Sequence, residues 1–392
     1  MQSWGLPSPH PARPSRRVLV IGAGLVGLSI AWLLCRRGHA VTLVDSGSSA
    51  DESGDDPAGS RASEAALGVL MGRVFHRSSG RGWRLRQQSL ELWAAWRQDL
   101  AARGRPLPWR EGLLLLAADA QDLERQHTLL HDPRRQTDDP RVALQWWRPE
   151  RLGALRPQLP AALGGLYSPG DGQLDPLPAL RLLAEDAEAA GLIRRQTWAT
   201  ALRQAETGWA LELAGGERIS ADWVVLAAGL GSNALLPEGL RCAAPALEPV
   251  LGQALELELD PADRPRAETA PWPGAIVWRG INLIARPCRL EPEAPWRLWL
   301  GATLEPGREA AAEPLARLRD LGGEAPDWLR RARPVRQWQG LRARPRGEAA
   351  PLLRELAGGL LLATGHYRNG VLLAPASAAW VAERLEGGTE AA

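Results

Sequence analysis

The sequence predicts an α/β protein: a Rossmann-like dinucleotide-binding domain interleaved with a second, α+β domain built on a mostly antiparallel sheet. Three observations carry this. The chain has 392 residues, more than one hydrophobic core usually organises. Its first regular segment, "RVLVIGAGLVGLSIAWLLCRRGHAVTLVD" (residues 17–45), reads as strand, glycine turn, helix and strand. Long apolar strands then gather late in the chain, at 247–258, 275–286 and 297–301, and read as a second sheet.

In chain order, residues 1–16 are rich in proline and serine and read as a disordered extension. Residues 17–21 are apolar and β-branched, helical periodicity runs to Arg37, and 40–45 is a second buried strand. An acidic, glycine-rich loop covers 46–60. A helix over 83–100 and a strand over 112–117 follow, then a polar surface loop at "HDPRRQTDDP" (131–140). "GLYSPGDGQLDP" (165–176) has turn chemistry and ends with Asp175 as N-cap and Pro176 opening a helix to Ala190. The short strands "TWATALRQ", "WALEL" and "WVVLAAG" read as a meander returning to the first sheet. The expected division is 17–78, 165–238 and 336–392 for the nucleotide domain, and 79–164 with 239–335 for the second.

Composition narrows the chemistry. All 47 basic residues are arginine, since the chain has no lysine, and 45 acidic residues leave a formal charge of +2. The charges are mixed along the chain, giving neither a nucleic-acid footprint nor an acidic tail. Without lysine there is no pyridoxal-phosphate Schiff base and no Walker-type phosphate lysine. Cys35, Cys242 and Cys288 are too few and scattered for a disulfide framework or metal cage, and fit a reducing, cytoplasmic setting. His10, His39, His76, His127 and His131 show no metal spacing. The apolar run 18–35 contains three glycines and leads through "RRGH" into another strand, unlike a signal peptide or membrane span. The eighteen tryptophans beside one phenylalanine reflect composition bias and carry no function.

The first chemical motif is "GAGLVG". Gly22 permits a tight turn, Gly24 lets backbone approach a pyrophosphate, and Gly27 lets helix and strand pack closely. The helix start offers backbone N–H groups to phosphate. Asp45 ends the second strand, where a carboxylate accepts hydrogen bonds from ribose hydroxyls and disfavours a 2′-phosphate. The motif alone leaves NAD and FAD both open. The returning strand ends at Ala228, Gly229 and Ser232 and brings backbone toward the same phosphates, although an ordinary glycine turn has the same pattern.

With these pieces in order, the chain resembles the D-amino-acid-oxidase-like flavoprotein superfamily, and within it the glycine oxidase of thiamine biosynthesis. The likeness rests on "VLVIGAGLVGLSIAWLL", "ASEAALGVL", "GLYSPGDGQLDPLPAL", "VVLAAG", "PVLGQ", "LGATLEPG", "WQGLRARP" and "ATGHYRNGVLLAPASA". It implies a Rossmann-like FAD-binding domain with an interleaved substrate domain, and non-covalent FAD. By motif match, Leu25 and Val26 lie on the pyrophosphate, and Asp45 and Ser46 on the ribose. Ser63, Leu67, Gly68 and Val69 line the flavin, and Thr200 the adenine region. His366, Tyr367, Arg368, Asn369, Gly370, Val371 and Leu372 fall on the isoalloxazine edge. Arg342 and Arg368 fall on the substrate-binding arginines. Two positions depart from the family: Asn282 replaces an aromatic substrate contact, and Ala343 a proline. The resemblance further implies oxidation of glycine or another small amino acid to an imine, reduction of O2 to H2O2, a homotetramer, and supply of imine to a thiazole synthase. A dehydrogenase passing electrons to a quinone or partner protein, and a flavin-binding protein without turnover, are the alternatives.

The same residues have a direct physical reading. An amino acid presents a planar carboxylate, which the arginine fork matches bidentately. Arg342 ends a strand beginning near Val335 and is the expected clamp, with Arg368 in support. The hexapeptide "GHYRNG" precedes a helix starting near Gly370, whose N-terminal dipole points back at it and favours negative charge there. Pro375 is tolerated in that helix's first turn. His366 reads as a packing or hydrogen-bonding residue rather than a general base.

Overall fold

Uncharged, β-branched runs flanked by glycine or arginine become the central strands. The computed structural model describes residues 15–47, 61–264, 272–286 and 295–387. In chain order its elements are β1 (Arg17–Ile21), α1 (Leu25–Arg36), β2 (Ala40–Asp45), β3 (Val69–Leu70), α2 (Gly80–Ala102), β4 (Trp109–Leu116), α3 (Ala120–Leu130), β5 (Gln145–Trp147), α4 (Pro149–Gly153), β6 (Gly165–Leu174), α5 (Pro176–Ala189), β7 (Ile193–Gln196), β8 (Ala199–Gln204), β9 (Trp209–Leu213), β10 (Arg218–Ala221), β11 (Trp223–Leu226), β12 (Leu247–Glu258), β13 (Ala275–Trp278), β14 (Ile281–Arg286), β15 (Arg297–Gly301), β16 (Glu305–Pro306), α6 (Ala312–Arg319), α7 (Asp327–Arg331), β17 (Arg333–Pro345), β18 (Leu352–Ala357), β19 (Leu360–Thr364) and α8 (Gly370–Gly387). Most of the expected N-terminal extension, most of the loop after Ser46, and Cys288 lie outside the described residues.

A six-stranded sheet runs β18-β19-β11-β1-β2-β7, parallel except for β18 against β19. Both its faces are covered, so its inner strands read as unbroken apolar runs. Helices α1, α2, α5 and α8 cover one face, where Trp93 and Trp96 meet edge-on at 5.4 Å and Trp32 lies 4.4 Å from Trp96. Each fully buried indole removes about 200 Å² from water, a gross gain of about 5 kcal/mol before conformational entropy is counted. Trp32 keeps its Nε1–H satisfied on Asp186 at 2.7 Å. On the other face Trp209 and Leu211 of β9 pack against Leu19, Val224 and Leu362.

The large sheet runs β16-β12-β15-β14-β13-β4-β6-β3, with β17 added to β12 and β5 to β6. Its pairs are antiparallel apart from β13 with β4. Four expectations are corrected here. The strands β8, β9 and β10 form a separate three-stranded sheet, and only β11 returns to the first one. The turn expected at 165–176 is mostly strand β6; Gly172 approaches β4 so closely that a Cβ would meet Arg110 O at 2.3 Å, and the extra residues bulge around Asp171. Segments assigned to the nucleotide domain each send a strand (β3, β6, β17) into the large sheet, where β6 satisfies backbone groups of β4, β3 those of β6, and β17 those of β12. Asp175 stands at the N-cap of α5 but makes no cap bond; its carboxylate pairs with Arg286 instead, the stronger charge-assisted bond. Among the described residues, no helix is long and apolar enough to cross a membrane.

Candidate active site

The ends of β1, β2 and β11 build a glycine cradle. Gly22 turns at φ +106°, its N–H on Val44 O at 2.9 Å, and a Cβ there would lie 2.6 Å from Ala227 O. A Cβ on Gly27 would lie 1.9 Å from Gly22 O, so only glycine lets α1 pack this close. Gly24 caps α1 without a side-chain bond, and a Cβ on it would sit 3.1 Å from Ser63 Oγ. That hydroxyl accepts from Leu25 N at 2.9 Å, while Val26 follows in a first turn that itself carries no acidic residue. The space a side chain would fill, at an uncapped helix start, fits a pyrophosphate.

Asp45 lies beside this cradle. Its Oδ2 accepts from Ala23 N at 2.7 Å, and its Oδ1 from Gly47 N at 2.9 Å and from Arg61. A carboxylate offers about four acceptor positions, so one remains for a ribose hydroxyl. Ser46 follows directly. A cleft of about 410 Å³ opens here between Asp45, Arg61, Leu43 and Ala184. Arg61 was not singled out in the sequence, where it is one arginine among many. Thr200 is not brought into this group: it sits at an irregularity in β8, its hydroxyl donating to Glu212 O at 3.0 Å. Its neighbour Thr197 is nearer, donating its N–H to Asp45 O at 2.9 Å.

A second group lies at the ends of β11 and β19 and along the β3–β6 pair. Gly229 is left-handed at φ +55°, and its carbonyl accepts from Thr364 Oγ1 at 3.1 Å. Gly68, at φ +75°, approaches Leu174 so closely that a Cβ would lie 1.7 Å from its carbonyl oxygen. Buried Gln173 holds Leu67 O at 3.1 Å, and Val69 pairs with Gln173 across the strands. Asn282 donates to Gly301 O at 3.0 Å; a Cβ on Gly301 would be 2.9 Å from Leu67, so these residues share one wall.

The third group surrounds Arg342, the expected clamp. Arg342 on β17 is half-buried, and its Nη1 donates to Leu251 O at 3.1 Å and Thr303 O at 3.2 Å. Burial, and then the like charge of Arg368, lower its pKa; Tyr367 and Glu305 oppose this. Glu305 is buried, accepting from Ala311 N at 2.8 Å, Gln253 Nε2 at 3.0 Å and Thr303 Oγ1. These bonds and Arg342 outweigh its burial and hold its carboxyl below the usual range. Gly252 and Gln253 of "PVLGQ" and Glu305 of "LGATLEPG" surround this arginine, though nothing in the sequence alone marks them as site residues.

The hexapeptide closes the site. Tyr367 adopts φ +54°, rare for a side-chain-bearing residue, and donates its N–H to Ala343 O at 3.1 Å, next to Arg342. Arg368 is exposed. Asn369 N donates to His366 O at 3.0 Å, and Leu373 N to Asn369 O at 2.8 Å, so α8 opens with Gly370, Val371 and Leu372. His366 is buried, its Nε2 2.8 Å from Ser377 Oγ, whose own hydrogen goes to Leu373 O at 2.8 Å. That network assigns the proton to Nε2. Burial, then the charge of Arg81, pull its pKa to about 3, so the ring is neutral. Among the described residues no three His, Cys, Asp or Glu gather as a metal group.

The family model DAO, described as FAD dependent oxidoreductase, matches residues 17–384. The chain belongs to this family. It is 31% identical over 402 residues to a glycine oxidase of Pseudomonas aeruginosa, covering 95% of each chain. It is 29% identical over 384 residues to the glycine oxidase of Geobacillus kaustophilus, covering 94% of this chain and 92% of the relative. The crystal structure of glycine oxidase from Geobacillus kaustophilus superposes with a TM-score of 0.75 at 26% identity, covering 96% of both chains. The protein is therefore an FAD-dependent oxidoreductase of the amino-acid oxidase and dehydrogenase type, with a glycine-oxidase-like fold. The glycine cradle and uncapped α1 are where this chain's own residues fit the FAD pyrophosphate.

Proposed function

We propose that the protein oxidises glycine or a similarly small amino acid to the imine, with O2 reduced to H2O2. The observation that carries this reading is the Arg342 fork, anchored through one Nη on Leu251 O and Thr303 O beside the second cation, Arg368. Bound FAD supplies the two-electron acceptor. Arg342 pairs with the substrate carboxylate, its planar donors matching the two oxygens. Arg368, at the exposed edge, adds positive charge that draws the carboxylate in, and Asn282 borders the pocket where the side chain would lie. His366 is neutral and already bonded to Ser377, so it takes no proton; the substrate amine enters unprotonated.

The balance is complete: the amino acid loses two electrons and two protons on forming C=N, and O2 takes up both. The imine then adds water to give an oxo acid and ammonia, or passes to a thiazole synthase. The reading includes a cytoplasmic homo-oligomer. Oxygen uptake and peroxide formation by the FAD-loaded protein with glycine, sarcosine and D-alanine test it. Peroxide in proportion to oxygen, lost in Arg342→Met, is the expected result. Flavin reduction by an amino acid without peroxide under air would instead make the protein a dehydrogenase, and no reaction with any of the three would overturn the reading.

A further inference from the structure

Arg86 of α2 is 7% exposed, a buried cation outside the groups described above. One Nη donates to Gly82 O and the other to Asn369 Oδ1, both at 3.0 Å. Its guanidinium carbon lies 3.7 Å from the centroid of the Phe75 ring. Its Nε is buried without a partner, and among the described residues it forms no salt bridge. Burying an unpaired charge costs several kcal/mol, and an apolar side chain of similar volume would fill the space without that cost. Burial lowers the pKa only to about 10, so the group stays charged at neutral pH.

What the charge holds is specific. A guanidinium has donors and no acceptor, so Asn369 must present Oδ1 to it, which leaves the amide N–H pair for another acceptor. Asn369 immediately precedes α8 and accepts from Leu373 N at 2.8 Å. Two turns along α2, Trp93 Nε1 donates to Val371 O at 3.1 Å and Leu372 O at 3.2 Å. Helix α2 thus grips the start of α8 at two points, one charged and one neutral.

We propose that Arg86 is a positioning residue: it locks the Asn369 amide in its donating sense, and its unpaired charge behind residues 367–372 favours the anionic form of the flavin bound against that segment. The inference rests on the placement of the flavin beside the hexapeptide, but not on the identity of the amino acid oxidised.

The test uses the FAD-loaded protein and sodium sulfite, whose reversible addition to oxidised flavin leaves the ring system anionic. Wild type, Arg86→Met, Arg86→Lys and Asn369→Ala are titrated with sulfite, and their flavin midpoint potentials are measured. Arg86→Met is expected to raise the sulfite dissociation constant about tenfold, the loss of one charge-assisted contact, and to make the potential more negative. Arg86→Lys falls between, and Asn369→Ala shifts both quantities in the same direction. A flavin-loaded Arg86→Met with wild-type sulfite affinity and potential overturns the proposal. Should Arg86→Met fail to fold, Asn369→Ala decides, wild-type values again overturning it. Wild type that binds flavin and sulfite yet oxidises no amino acid refutes the proposed function while leaving this comparison intact.

Discussion

The guanidinium of Arg342 occupies the space that a side chain at Gly252 would take: a Cβ on Gly252 would lie 2.0 Å from its Nη2. The two residues sit on neighbouring strands, where Gly252 faces Gly340 and Val250 faces Arg342. A glycine in the strand interior normally weakens a sheet; here it clears a lane across which the arginine reaches the carbonyls of Leu251 and Thr303.

Gly252→Ala should therefore displace the clamp without emptying the cofactor site. The expected outcome is a KM for the best amino acid raised about tenfold, the scale of one charge-assisted bond, with an unchanged flavin spectrum. Steady-state kinetics beside an absorbance spectrum of the same preparation checks it.

Gly27→Ala should have the opposite profile. Its Cβ would overlap Gly22 O at 1.9 Å, forcing α1 off the strand and widening the cradle. The variant is expected to purify without flavin and to bind added FAD at least about tenfold more weakly, measured by flavin fluorescence quenching.

Much of this was legible in the sequence, for physical reasons that differ by element. Strand β1, helix α1 and strand β2 follow from unbroken apolar runs and three glycines whose spacing leaves few other folds. Strand β7, "IRRQ", is exposed at all four residues and carries no pattern, so it escapes notice although it pairs with β2. Strand β6 was disguised by proline, glycine and aspartate, which mark a turn unless a neighbouring backbone claims them. Arg342 and Arg368 are expected as the clamp from their match to the family's motifs, and their glycine-bounded, apolar setting supports that expectation. Arg61 and Arg86 have no such setting, and in a chain whose basic residues are all arginine only tertiary contacts single them out; Glu305 lies within "LGATLEPG", but its bonds to Thr303, Gln253 and Ala311 appear only in the fold.

Asp171 illustrates a polar group that only the fold explains. Fully buried, it accepts from Gly72 N at 2.8 Å, Arg73 N at 3.0 Å and Val74 N at 3.2 Å, fixing the loop after β3. Asp171→Asn turns N–H donors toward N–H donors, and the expected loss is about 2 kcal/mol of stability, read from urea unfolding of the flavin-loaded protein.

His366 makes stability depend on pH. Its folded pKa, about 3, lies below the ordinary 6.5. Above pH 6.5 the ring is neutral folded and unfolded, and contributes no slope. Below it the unfolded chain takes up a proton that the folded ring refuses, so the folded state loses up to about 1.4 kcal/mol per pH unit from this group. His366→Gln should unfold with a shallower dependence between pH 6 and 4 than wild type, compared by urea titration at each pH; equal slopes would contradict the assignment.

The most direct test of the central claim is anaerobic titration of the FAD-loaded protein with glycine, followed by admission of air. The account predicts that the flavin's visible absorbance bleaches with glycine and returns in air with one peroxide per flavin, and that Arg342→Met does neither. A flavin that stays oxidised with glycine, sarcosine and D-alanine alike would mean that the Arg342 clamp holds some other anion, and the amino-acid oxidase assignment would fall.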